Sequence, residues 1–385
     1  MASRNFMSYQ DVYSIQRWTD QLIKLGYRFA SRKLRISISN GRLVNYVAQT
    51  KPSSEFKVKN ALALTEFCAD CNITFPQSQL IHGPSQFEKT VLVIIFNRPH
   101  HQNIPLLQTL YQPWFAHVIF CSTFDEKDYN NKSILSIFGS WSLSKISFVN
   151  VSKEEWFLGV FSYMCLAHSI SLRLNNVQGY LVIGDDVLLN FWTPLDLSKP
   201  KMHFGSCETV LDFPSLWWFS EYGDTAVRKV RAMMYSERKN LTLSNQVKTV
   251  LRKILLSAQW CASDIFFVPT KQSLDYQTLA NLFFRAGSFL EIAVPKIMAA
   301  LGLNEQYSMI GAEGKRHQLE QNDDIRGKYL WKNKDRARPF QVFDENAHFI
   351  HPFKFSWMNE TRWRHMFCNH YVQALFQATI PLTLS

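Results

Sequence analysis

No stretch of this chain stays apolar for the roughly 18 residues that a bilayer span requires. The nearest, Trp156 to Leu172, is interrupted by Ser162, His168, Ser169 and Ser171 and reads as a helix of a protein core. The opening residues, MASRNFMSYQDVYSIQRW, lack the apolar centre of a signal peptide. Cysteine is sparse: seven are scattered through 385 residues, which is not a dense disulfide framework. The lone CxxC, Cys68-Ala-Asp-Cys71, reads as incidental spacing or one disulfide; joined to His365, Cys368 and His370 it matches no zinc spacing. Basic residues lack the regular aromatic interleaving of a nucleic-acid platform, and no nucleic-acid motif is present, so no nucleic-acid partner is expected. The chain is therefore expected to be soluble, or the lumenal part of a protein that meets a membrane through a missing anchor or a partner.

Acids are fewer than bases, 31 against 42, and the net charge of +11 favours anionic partners such as phosphates, nucleotides or acidic glycans. Hydrophobic residues at 46% and aromatics at 14% suffice for a packed core, and 19% charged residues argue against a largely disordered chain. The length allows one large or two medium domains. Composition and patterning divide it into an N-terminal helical and mixed region (1–86), a main α/β domain (87–357) and a C-terminal helix and tail (358–385). Five Asn-x-Ser/Thr sequons, at Asn72, Asn131, Asn150, Asn240 and Asn359, permit glycosylation in a secretory lumen but are weak signals.

Within the first region, residues 8–25 have helical spacing and Leu34 to Ile38 can form a short strand. From Lys89 a repeated α/β rhythm begins. Thr90 to Phe96 is a continuous apolar run, as a strand covered on both faces should be. It exits into Asn97, Arg98, Pro99, His100 and His101, a basic loop where a nucleotide could dock or which could be an ordinary turn. A helix over 104–114, strands at 117–121 and 146–149, and a helix opened by a capping box at Ser152 and Glu155 and running to about Arg173 follow. Strands alternating with helices predict an α/β fold with a mainly parallel sheet.

The chain is organised around GYLVIGDDVLLNFW, Gly179 to Trp192. A buried β-branched strand ends abruptly in Asp185 and Asp186, the fourth strand in order. Two carboxylates there are costly unless a positive group joins them. In open α/β sheets ligands bind at the carboxyl ends of strands. A divalent cation, Mg²⁺ or Mn²⁺, bridging to a phosphate suits that place.

Further on, residues 228–253 are rich in Lys and Arg and read as the solvated faces of amphipathic helices, with an anion or membrane patch as the alternative. Short strands are expected at 201–205 and 264–268, and a helix over 274–285. Pro295 is tolerated in a helix's first turn but not deep inside, which places Glu291 in the approach to a helix. Residues 311–339 are strongly charged and read as a long mobile loop. His351 lies in an extended, half-buried segment, and a helix runs from 358 to about 378.

Together these features resemble a nucleotide-sugar-dependent glycosyltransferase domain of the GT-A type over roughly residues 88–357. Asp185-Asp186 resembles the family's Asp-x-Asp metal motif, Glu291 the acid near the acceptor, and His351 the C-terminal histidine that can complete metal coordination. More narrowly, GDDVLLNFW is similar to the C-terminal part of STELLO-like glycosyltransferases. The resemblance implies a nucleotide-sugar donor, a glycan or protein acceptor and a Golgi or secretory-lumen location. It implies a divalent cation held by Asp185, Asp186 and His351, donor contacts from Asn97, Arg98 and Asp185, and Glu291 as catalytic base. The strict Asp-x-Asp is absent, since position 184 is Gly and position 187 is Val. A degenerate, non-catalytic scaffold or binding protein therefore stays open as the alternative, with a metal-dependent nucleic-acid-processing enzyme behind it.

Overall fold

Four largely apolar runs become the parallel strands of one sheet. The computed structural model describes residues 64–71, 85–98, 100–124, 146–203, 207–209, 216–237, 242–303, 325–330, 339–341, 344 and 346–379. The helix read over 8–25, the strand at 34–38 and the sequons at Asn72, Asn131 and Asn240 lie outside these residues. All described residues fall in one unit, Arg42–Ser385.

The strands are β1 (Thr90–Ile95), β2 (His117–Ser122), β3 (Ile146–Asn150), β4 (Gly179–Gly184), β5 (Leu188–Leu189), β6 (Lys201–Met202), β7 (Glu208–Thr209), β8 (Gln259–Trp260), β9 (Ile265–Pro269), β10 (Gly327–Tyr329) and β11 (Phe349–His351). The main sheet has the order β3-β2-β1-β4-β9-β6. The neighbours β3, β2, β1 and β4 pair in parallel, and β9 runs antiparallel to β4. This is the expected α/β fold with a mainly parallel sheet. Every residue of β1 and of β4 is buried, and each large aliphatic side chain so covered contributes about 1.5–3 kcal/mol.

The helices used below are α1 (Ile104–Tyr111), α2 (Met164–Ser171), α3 (Asp224–Ser236), α4 (Asn245–Ile254), α5 (Ser273–Ala286), α6 (Leu290–Ala300), α7 (Thr361–Phe367) and α8 (Gln373–Thr379). The capping box at Ser152 and Glu155 forms as the sequence predicts, with both reciprocal bonds present. The helix it opens stops after one turn, at Trp156, and α2 begins only at Met164. Gly159 explains the break. Its φ is +86°, and a Cβ there would come within 2.6 Å of Asn97 Oδ1. The backbone thus turns left-handed where the loop after β1 passes closest.

Pro295 sits well inside α6 instead of in its first turn, so Glu291 belongs to the helix and not to its approach. A proline removes the N–H that would bond the carbonyl four residues back. Here that carbonyl is Glu291 O, and the Cys261 N–H bonds it instead at 2.9 Å. The charged stretch read as a loop over 311–339 contains β10, which pairs in parallel with β11. Gly327 permits it, because a Cβ would lie 2.1 Å from the Phe349 ring.

Residues 64–71 and the tail pack on the same hydrophobic core as the sheet, through Leu64, Cys68, Phe367, Cys368 and Tyr371. Cys68 is not paired within its CxxC. It bonds Cys368, while Cys121 bonds Cys165 and Cys207 bonds Cys261, leaving Cys71 as a buried thiol.

Candidate active site

The carboxyl ends of β1 and β4 lie side by side, in register from Thr90↔Gly179 to Ile95↔Gly184. What leaves those ends therefore meets. From β1 come Asn97, Arg98 and His100; from β4 come Asp185 and Asp186. The Asp185 N–H donates to Ile95 O at 2.8 Å, and Asp185 Oδ1 accepts the Asn97 N–H at 3.4 Å.

After Asp186 the chain reverses into β5, which pairs antiparallel with β11 through Leu188↔Ile350. Tyr111 and Tyr371 fix β5. The Leu189 N–H donates to Tyr111 Oη at 3.1 Å, and Tyr371 donates to Leu189 O at 2.5 Å. That pairing carries His351 beside the acidic pair, and the Phe353 N–H closes on Asp186 O at 2.6 Å. His351 Nε2 lies 3.1 Å from Asp186 Oδ1. Lys354 Nζ donates to the other oxygen, Asp186 Oδ2, at 2.6 Å.

The antiparallel course of β9 adds a third acid. Its first residues face the end of β4, through Ile183↔Ile265, and the Gly184 N–H donates to Asp264 O at 3.0 Å. Asp264 Oδ1 lies 3.6 Å from His351 Nε2, so two carboxylates flank one imidazole nitrogen. The Tyr329 hydroxyl lies against Asp264, and its ring meets the His351 ring edge-on at 5.2 Å. Glu291, in the first turn of α6, is the fourth acid. The Cys261 bond to its carbonyl draws the approach to β9 against it, and it interacts electrostatically with Asp264.

The electrostatics follow from burial first and from the mutual proximity of the acids second. Burial alone would raise Asp186, but His351 and Lys354 together hold it well below the usual carboxylate range. Burial and the neighbouring Asp186 push Asp185 up to about 7. Burial, then Asp186, also raises Asp264, against the pull of His351. Burial and Asp264 drive Glu291 well above its ordinary value. Burial would lower His351, yet Asp264 and Asp186 outweigh it and raise it. Glu291 Oε2 and Asn97 Oδ1 are buried atoms with no hydrogen-bond partner among the described residues.

Of the residues singled out in the sequence, Asp186 and His351 touch directly, and Asp185 and Asn97 share a backbone contact beside them. Arg98 is exposed; it acts on His100, a surface residue whose imidazole is held down by partial desolvation and by the Arg98 and Lys354 charges. The sequence pattern does not single out Asp264, Tyr329 or Lys354 as site residues, and it marks His100 only as part of the basic loop after β1. Asp264 had a usable signal, an acid immediately before an apolar strand, but its value depends on that strand running antiparallel. Elsewhere, Asp70, Cys71 and His365 gather closely enough to share a cation. There, however, Arg364 pairs with Asp70, and burial, then Asp70, raises the Cys71 thiol.

A mainly parallel α/β sheet with an acid–histidine cluster at its strand ends is consistent with a GT-A-like glycosyltransferase fold. The family model described as STELLO glycosyltransferases matches residues 41–262, more than half of the chain, and the protein belongs to that family. The match includes Asp185 and Asp186 and stops just before Asp264. Two relatives from Arabidopsis thaliana align across 92% of the chain: "Probable glycosyltransferase STELLO1", 21% identical over 372 residues, and "Probable glycosyltransferase STELLO2", 20% identical over 369. The chain spans 41% of the length of each.

Proposed function

We propose that this chain transfers a sugar from a nucleotide-sugar donor to a glycan or protein acceptor, using a divalent cation. The observation that carries the reading is Asp186 held between His351 and Lys354 at the carboxyl ends of two parallel strands. The donor set suits Mn²⁺ or Mg²⁺. Asp186 and His351, flanked by Asp185 and Asp264, would hold the ion; the raised carboxyls of Asp185, Asp264 and Glu291 reflect burial first and the neighbouring acids second. Such an ion supplies Lewis-acid stabilisation of the departing diphosphate.

The chain's own residues supply the rest. Arg98 and Lys354 both act electrostatically on His100, and the three would hold the donor's phosphates. Asn97 and Asp185 shape the donor side through their shared backbone contact. Glu291, with one buried oxygen unpartnered, is the group to take the acceptor hydroxyl proton. Its raised pKa makes it a stronger base once ionised. Three disulfides suit an oxidising compartment, which supports a Golgi or other secretory-lumen location.

Gly184 favours a second reading, a binding module without turnover. A Cβ there would lie 3.2 Å from Asp186 Oδ1, so an acid at that position would crowd Asp186. Incubation with a panel of nucleotide sugars and Mn²⁺ separates the two. Release of nucleoside diphosphate that stops in Asp186→Asn supports transfer; tight binding of a nucleotide sugar with no release supports the module.

A further inference from the structure

Helices α3 and α4 enclose a cleft of about 280 Å³ that shares no residue with the acidic cluster. Three cations line it, Arg231 from α3 with Arg252 and Lys253 from the last turn of α4. Met234 and Leu255 form apolar lining, and Tyr235 and Leu256 flank it. Helical spacing sets this pattern. Arg231 and Tyr235 stand one turn apart on α3, and Leu255 and Leu256 lie in the turn just past the end of α4.

The acids of these helices are already engaged. Asp224 pairs with Arg228, and Glu237 with Arg285 through both guanidinium nitrogens. Among the described residues no carboxylate pairs with Arg231, Arg252 or Lys253. Arg252 and Lys253 complement the carbonyl end of α4. That accounts for neither Arg231 on the facing helix nor the apolar side chains beside it. Among the described residues four large apolar side chains stand well exposed, Phe219, Tyr235, Leu256 and Leu274, and two of them flank this cleft at 67% and 69% exposure.

We propose that the α3–α4 cleft binds an acidic saccharide, a sugar unit bearing a carboxylate. Guanidinium groups pair with carboxylates in a fixed planar geometry. An exposed tyrosine offers a flat face to the apolar side of a sugar ring. The volume is near the lower end of small-ligand pockets, which begin at about 300 Å³, and suits one or two sugar units. Cations set it apart from a neutral-sugar site. An anionic membrane would use the same charges, but the leaflet rich in anionic lipid faces the cytosol, whereas three disulfides belong in an oxidising lumen. The inference does not depend on the transfer reaction.

The test titrates the full chain with trigalacturonate, with cellotriose and with phosphatidylcholine vesicles containing phosphatidylserine. Trigalacturonate is expected to bind, more weakly as salt rises, and cellotriose is not. Arg252→Ser and Tyr235→Ala should each weaken trigalacturonate about five-fold or more. Both side chains are exposed, so an unchanged melting temperature will show that the fold is intact. Asp186→Asn should leave this binding in place. The proposal is overturned by no binding of trigalacturonate, by equal binding of cellotriose, by indifference to both cleft substitutions, or by vesicle binding in its stead.

Discussion

Lys354 Nζ donates to Asp186 Oδ2 at 2.6 Å across 168 residues of sequence. The lysine is half exposed, whereas Asp186 is largely covered. It is therefore a counter-charge to Asp186 that solvent can reach.

Lys354→Met should accordingly raise the affinity of the nucleotide-free protein for Mn²⁺. Removing both a competitor for Asp186 and a repelling charge works in one direction, by about five- to ten-fold. Titration of Mn²⁺ followed by its electron paramagnetic resonance reads this directly. Unchanged or weaker affinity would count against a cation site on Asp186.

Glu291 is a buried acid whose carboxyl is pushed well above its ordinary value by burial and by Asp264, and Gln is nearly its isostere. Glu291→Gln should keep apo stability within about 1 kcal/mol and leave donor binding nearly intact. Transfer should fall roughly 10²-fold or more, because the base is gone. Comparison of melting temperature, nucleotide-sugar affinity and turnover on the one variant checks all three; retained turnover removes Glu291 from the mechanism.

Lys296 is fully buried on α6, donating to Ser257 O at 2.9 Å and lying over the Trp218 ring. Burial pulls its pKa down to about 7. Between about pH 7 and 10.5 the unfolded chain then binds the extra proton, so stability from this group rises with pH there. The gradient is at most about 1.4 kcal/mol per pH unit. Lys296→Met should lose that rise relative to wild type in denaturant unfolding curves taken from pH 7 to 10. Parallel curves for the two proteins would contradict the shift.

Six of the seven cysteines are paired and Cys71 is not. Alkylation in denaturant without reductant should label Cys71 alone, as read by peptide mass spectrometry. Label on Cys68 or Cys368 would break the link between residues 64–71 and the tail.

Much of the frame was legible because its signals are local. The runs that became β1 and β4 have no polar interruptions, and Asp185-Asp186 marks the strand end by its own cost. The capping box at Ser152 is legible for the same reason. Long-range features were not legible in the local pattern, and the placing of His351 beside Asp186 comes from the family resemblance alone. The two- and three-residue strands β5 and β11, which bring His351 to Asp186, are too short to show a period. Cys68 finds a partner 300 residues away. The rule that proline cannot sit inside a helix failed at Pro295 because the Cys261 N–H replaces the lost donor. Asp264 joined the site only because β9 runs antiparallel, a direction that its own residues do not declare.

The central claim is that Asp186 holds a cation that in turn holds the donor's diphosphate. Calorimetric titration of UDP and GDP into wild type and Asp186→Asn, with Mn²⁺ and with chelator, tests it most directly. At least one nucleotide should bind wild type at least about ten-fold more tightly with Mn²⁺ than with chelator, and Asp186→Asn should abolish that difference. Equal affinity in the two buffers, or an Asp186→Asn variant that keeps the full metal dependence, would contradict the account.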